Sequence, residues 1–110
     1  MNDKIGAILG LAMRGRKLIL GIDNIEAYKG KIYGVYFDGG LSERSQRNIA
    51  FIAAKRGAVL IKSEMAIESV TGKTKCMAAA LTDKNMHDGI VKALTDETAA
   101  NGKWQIVNGK

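Results

Sequence analysis

The stretch Ile32-Tyr33-Gly34-Val35-Tyr36-Phe37-Asp38-Gly39-Gly40-Leu41-Ser42, followed by residues 43–56 and then Gly57-Ala58-Val59-Leu60-Ile61, decides how the rest of the chain must fold. Residues 32–37 are rich in β-formers and apolar on both faces, as a central strand would be. Asp38-Gly39-Gly40 is a turn. Ser42 can cap a helix to about Arg56 that faces Ile49, Ile52 and Ala53 inward. Gly57 closes that helix, and residues 58–61 make another short strand.

The same alternation extends in both directions. Upstream, Ile5, Ile8, Leu9 and Ala12 form one apolar stripe on a helix over about residues 3–13, with Asn2 or Asp3 as N-cap and Arg14-Gly15 as its end. Residues 17–20 suit a short strand. Asp23-x-x-Glu26 has capping-box spacing and predicts a brief helix that stops at Gly30. Downstream, Ser63 is placed to cap a helix through Val70, halted by Gly72, and residues 77–81 form a fourth strand. Thr82 or Asp83 starts a last helix carrying Met86, Ile90 and Leu94. Helices and strands alternating in this way predict a sheet sandwiched between two helix layers. Residues 95–110 stay polar up to Lys103 and then hold Trp104, Ile106 and Val107, either a terminal strand or a tail.

A chain of 110 residues has room for one domain, with 46% apolar and 25% charged residues, an ordinary globular composition. A lone cysteine excludes a disulfide framework and any multi-cysteine zinc site. No apolar run approaches the ~20 residues that span a bilayer. Residues 5–13 have the length of a signal core, but Asp3 and Lys4 cancel before it and the basic cluster follows it, so a cytoplasmic protein is expected. The formal charge of +6 is concentrated in the middle, with a local +3 over residues 14–31 and +4 over residues 42–62. Such an excess implies acidic partners, nucleic acid first, against the plainer alternative of a basic solvated surface.

Few residues support catalysis. Thr71-Gly72-Lys73-Thr74 invites comparison with a P-loop, but the position that motif reserves for its first glycine is Ile67, and this loop follows a helix. His87, the only histidine, fits a solvent-facing or capping role better than catalysis, since no nucleophile stands at readable spacing. Cys76 reads as a small buried residue, and Glu64 and Glu68 as one solvated helix face. No metal constellation and no cofactor motif is present in the sequence.

The loop Arg14-Gly15-Arg16-Lys17, leading into Gly21-Ile22-Asp23-Asn24, is more informative. It is at least a helix–strand connection followed by a capped helix. Beyond that, helix starts attract phosphate, and a short carboxylate and amide can pair with exposed base edges. RNA readout favours unstacked bases, because side chains do not fit the A-form major groove. Arg14, Arg16 and Lys17 would neutralise phosphates.

The run Gly10-Leu11-Ala12-Met13-Arg14-Gly15-Arg16-Lys17-Leu18-Ile19-Leu20-Gly21 resembles the opening of YlxQ-like bacterial proteins, which belong with the kink-turn-binding ribosomal proteins L-seven-Ae and L-thirty-e. The resemblance continues through residues 32–37, Gly39-Gly40-Leu41-Ser42-Glu43, Val70-Thr71-Gly72-Lys73 and Ala78-Ala79-Ala80-Leu81-Thr82-Asp83, covering roughly residues 4–94. It implies a three-layer α/β/α sandwich with a mixed four-stranded sheet over residues 1–94, residues 95–110 being an extension. It also implies an RNA surface made of Lys17, Gly21, Asp23 and Asn24, of Gly39, Gly40 and Ser42, and of Val70, Thr71 and Gly72, with Lys73 and Lys75 alongside. The chain departs from the archaeal members, which carry an Asn-Glu pair and a lysine where this chain has Asp23-Asn24 and Ala27.

The expectation is a non-catalytic, monomeric, ribosome-associated protein whose partner is kinked, structured RNA rather than DNA or a membrane. Arg14, Arg16, Lys17 and Lys73 would contact phosphates, Asp23 and Asn24 would read base edges, and Val70 and Thr71 would pack against an unstacked nucleotide. Tyr33, Phe37 and Phe51 read as buried. The competing expectations are a protein-interaction module on the same fold and an enzyme acting on a phosphorylated small molecule through the Gly72-Lys73-Thr74 loop.

Overall fold

The computed structural model describes residues 4–95 and 104–107. Its elements are α1 (Lys4–Arg14), β1 (Leu18–Leu20), α2 (Ile22–Ala27), β2 (Gly34–Asp38), α3 (Glu43–Arg56), β3 (Val59–Ser63), α4 (Ile67–Thr71), β4 (Ala78–Leu81), α5 (Lys84–Thr95) and β5 (Trp104–Ile106). The strands form one mixed sheet in the order β1-β4-β2-β3-β5, with β2 and β3 parallel and every other neighbouring pair antiparallel.

Side chains alternate across the sheet and so fill two cores. On one face Tyr36, Ile61, Ala79 and Leu81 pack with Ile5, Leu9 and Ala12 of α1, Ile67 of α4, and Ile90 and Ala93 of α5. On the other, Val35, Phe37, Leu60, Ala78 and Ala80 pack with Ile25 of α2 and Ile49, Ile52 and Ala53 of α3. All five residues of β2 are buried, because helices cover it on both sides. The result is a mixed α/β sandwich whose sheet has five strands among the described residues, one more than the four expected. The addition is β5, which pairs antiparallel to β3 and sets Trp104 edge-on to Tyr36 at 6.2 Å and 84°. Residues 104–106 of the presumed extension therefore belong to the same sheet.

The caps follow the local chemistry, with three exceptions. The Ser42 hydroxyl accepts the Ser45 N–H at 3.1 Å, Asp83 caps α5 by accepting the Met86 N–H at 2.9 Å, and Gly57 and Gly72 close their helices at φ 70° and 76°. Ser63 caps nothing: it ends β3, and its hydroxyl closes a tight turn with the Met65 backbone. Helix α4 starts later, at Ile67, because the Asp38 carboxylate accepts the Ile67 N–H at 2.7 Å from across the sheet end. Glu64 consequently lies outside the helix. Helix α2 starts at Ile22 after Gly21, with no side-chain cap, so Asp23 and Glu26 form no capping box. At the end of α1 the left-handed residue is Arg16, at φ 61°, rather than Gly15.

The antiparallel pairing of β1 and β4 governs what can meet. Leu18 lies opposite Leu81 and Leu20 opposite Ala79. Lys17 therefore sits at the Thr82 end of the sheet, where its carbonyl accepts the Thr82 N–H and hydroxyl, each at 2.9 Å. Gly21 sits at the other end, donating to the Ala78 carbonyl at 3.0 Å. At ~3.3 Å per residue, the two positions are about 13 Å apart along the strand. No helix among the described residues is long and apolar enough to cross a membrane.

Candidate nucleic-acid interface

Three chain segments converge where β1 ends, β2 ends and β4 begins. The first is the start of α2, where Gly21 at φ 89° turns the chain and accepts the Ile25 N–H at 3.0 Å. A Cβ at Gly21 would strain that conformation. The second is the turn after β2 and the start of α3. Gly40 donates to Asp38 Oδ1 at 2.7 Å, and a Cβ on it would fall 2.9 Å from that oxygen and 3.1 Å from Met77 Sδ. Gly40 thus lets the turn lie against the third segment, the loop that enters β4. In that loop Lys75 adopts φ 64°, with its N–H donating to Glu68 Oε1 at 3.2 Å.

These segments enclose an open hollow of about 340 Å³, lined by Gly21, Ile22 and Asp23, by Leu41, Ser45 and Asn48, and by Lys75, Met77 and Ala78. Asp23 and Lys75 are exposed, so both charges keep their hydration until a ligand displaces it. Asn24 stands beside the hollow on α2, and its amide nitrogen donates to the Leu20 carbonyl at 2.8 Å. Its side-chain oxygen is then the atom available to a base edge. A shallow depression next to the hollow is lined by Arg44, Ser45, Arg47 and Asn48, and it shares Ser45 and Asn48 with the hollow. Arg44 and Arg47 of α3 thereby line a depression that adjoins the hollow.

The expected site residues are divided by the fold. Gly21, Asp23 and Lys75 line the hollow, and Asn24, Gly39, Gly40 and Ser42 belong to the segments around it. Arg14, Arg16 and Lys17 are exposed at the opposite end of the sheet and do not join this group. Val70 packs against the α1-side core, and Thr71 is buried, its hydroxyl donating to the Ile67 carbonyl at 3.2 Å and accepting the Lys73 N–H at 3.2 Å. Thr71 thus presents little surface to a nucleotide, whereas Val70 is half-buried. Gly72 and Lys73 are exposed on the loop between α4 and β4.

Ile22, Leu41, Ser45, Asn48 and Met77 line the hollow without having been singled out in the sequence. Ser45 and Asn48 could have been found: they lie three residues apart on the helix that Ser42 caps, which puts them on one face.

Other residues differ from expectation. His87 does not cap the helix; it lies half-buried, its ring 6.0 Å from that of Tyr33 and its Nδ1 buried without a hydrogen-bond partner among the described residues. Burial holds its imidazole below the ordinary value, against a raising pull from Asp88 and beside a further lowering by Lys84. The Tyr36 hydroxyl is likewise buried and has no hydrogen-bond partner among the described residues, and burial pushes its phenol well up. Arg56, counted with the basic excess, is occupied internally: its guanidinium donates to the carbonyls of Tyr28 and Gly30 at 2.7 Å each and of Ile25 at 3.4 Å. Phe51 is exposed, not buried. Cys76 is buried, as read from the sequence, with its thiol on the Ala78 carbonyl.

The chain is thus a mixed α/β sandwich with a hollow of mixed polar and apolar lining, beside Arg44 and Arg47, at one end of its sheet. No family model matches it, and no curated protein matches it in sequence. A solved structure from Bacillus halodurans, of a protein with unknown function, is similar in fold, with a TM-score of 0.76 and 18% identity; the likeness covers 87% of this chain and 100% of that one. At that identity the likeness bears on architecture alone.

Proposed function

We propose that this protein is a small, non-catalytic RNA-binding protein, ribosome-associated and cytoplasmic, that recognises kinked, internally looped RNA as a monomer. It would belong with the YlxQ-like relatives of the kink-turn-binding ribosomal proteins. The supporting observation is the convergence of three sequence-distant segments on the one hollow that joins Gly21, Asp23, Ser45, Asn48 and Lys75. In this proposal Asp23 and the Asn24 side-chain oxygen accept from exposed base edges. Lys75 and the neighbouring Arg44 and Arg47 contact phosphates, and the Gly39–Gly40 turn lets the RNA backbone come close. Arg14, Arg16 and Lys17 play no part in this contact.

Three phosphate contacts imply a log–log salt slope of about −2 to −3. A gel-shift series with a kink-turn RNA and a plain duplex of equal length tests the proposal. Selective binding of the kinked RNA with that slope is expected. Equal binding of both would reduce the protein to a nonspecific polycation, and binding of neither would favour a protein-interaction module on this fold.

A further inference from the structure

The outer face of α3 continues past the hollow, and its Phe51 and Lys55 take no part in the contact proposed there. Taking 3.6 residues per turn, Arg44, Arg47, Asn48, Phe51 and Lys55 fall within about 100° of the helix circumference, opposite the buried Ile49, Ile52 and Ala53. Phe51 is 66% exposed, the most exposed of the large hydrophobic residues among those described. Arg47 and Lys55 stand four residues before and after it, close enough to bracket its ring. Arg47 has only the loose, solvent-exposed pairing with Glu43 at 3.8 Å, and such a pair costs little to exchange for another anion.

We propose that this face is a second RNA subsite: a platform on which an unpaired nucleotide, flanking the structured RNA held in the hollow, stacks on Phe51 while Lys55 contacts its phosphate. The chemistry selects this occupant. A helix or strand from a partner protein needs a row of apolar anchors, and here one aromatic ring stands among cations. A single π-face bracketed by positive charge is instead the pattern that binds single-stranded nucleic acid with little sequence preference. Position agrees as well. Ser45 and Asn48 line both the hollow and the depression on α3, and Phe51 lies one turn beyond Asn48. From Arg44 to Lys55 the face runs about 16 Å along the helix axis, room for a short strand leaving the hollow.

The location of the subsite rests on the proposed function, but its chemistry can be tested apart from it. Fluorescence anisotropy would compare four probes: a kink-turn RNA, the same RNA with an eight-nucleotide uridine tail on one end or on the other, and the free uridine octamer. Each is titrated with wild type, Phe51→Ala, Phe51→Tyr and Lys55→Ala, with melting curves confirming that the exposed substitutions leave the fold intact. One tail is expected to tighten binding roughly tenfold, the size of one base–aromatic stack. Phe51→Ala should remove that gain without changing affinity for the untailed RNA, and Phe51→Tyr should keep it. Lys55→Ala should lower the salt slope for the tailed RNA by about 0.7 and leave that of the untailed RNA unchanged. If the octamer binds through Phe51 while the untailed RNA does not bind, the subsite stands and the proposed function falls. A tail that adds nothing, a gain that survives Phe51→Ala, or competition by an acidic peptide as strong as by the octamer would overturn the inference.

Discussion

Replacing Asp38 by alanine removes the acceptor that ties the turn after β2 to the start of α4. Its carboxylate is 6% exposed and takes two backbone N–H groups, Gly40 in the turn and Ile67 at the start of α4, each at 2.7 Å. A hydrogen bond to a charged group contributes about 1.5–3 kcal/mol, and a buried donor left without its partner carries the whole desolvation penalty. The Ile67 bond is buried and should lose that full amount, whereas water can replace the acceptor at the more open Gly40. The expected loss is therefore about 3 kcal/mol in urea denaturation with an unchanged m-value, or roughly 10–20 °C in Tm. Asp38→Asn offers one oxygen and turns an NH2 group toward the other N–H, so it should recover at most half. An Asp38→Ala protein within about 1 kcal/mol of wild type, or an Asn variant equal to it, would refute the assignment of Asp38 as the brace between β2 and α4.

Four further outcomes are expected. Arg56→Ala should cost about 1.5–3 kcal/mol, since its guanidinium satisfies the carbonyls that end α2, yet leave RNA affinity unchanged; chemical denaturation and anisotropy together check both parts. Gly34→Ala would place a Cβ 2.8 Å from the Tyr36 hydroxyl and 3.3 Å from His87 Nδ1, an overpacking expected to cost about 1–3 kcal/mol in the same denaturation assay. Burial lowers the folded-state pKa of His87, so between its unfolded value near 6.5 and the lower folded value the unfolded chain binds the extra proton; stability should fall on acidification through that window, and less so in His87→Gln. Lys75→Gly relieves a left-handed non-glycine residue while removing a phosphate contact; thermal stability should hold or rise while RNA affinity and its salt slope both drop, the slope by about 0.7–0.9.

Local signals account for most of the fold. Ile49, Ile52 and Ala53 announce the inner face of α3, and Ser42 and Gly57 bound it, because capping and amphipathicity act within one or two turns. What escaped the sequence depends on distant partners. Ser63 looked like the cap of α4, but Asp38, 29 residues earlier in the chain, supplies that acceptor. The sequence leaves Trp104 and Ile106 open between a strand and a tail; they form β5 where β3 offers an edge and Tyr36 a surface for Trp104. The division of the expected site has the same origin. Arg14, Arg16 and Lys17 are near Gly21 in sequence, but the extended strand β1, paired along β4, puts Lys17 and Gly21 at opposite ends of the strand, about 13 Å apart. Phe51 is a different case: its phase relative to Ile49 and Ile52 already pointed it outward.

The central claim is that RNA engages the Gly21–Ser45–Lys75 end of the sheet. It is tested most directly by amide chemical-shift mapping of the labelled protein titrated with a kink-turn RNA. The account predicts that perturbations cluster at Gly21, Asp23, Asn24, Gly40, Ser45, Asn48 and Lys75, leaving Leu18 and Thr82 unmoved. Perturbations centred on Arg14, Arg16 and Lys17, with the hollow silent, would contradict it.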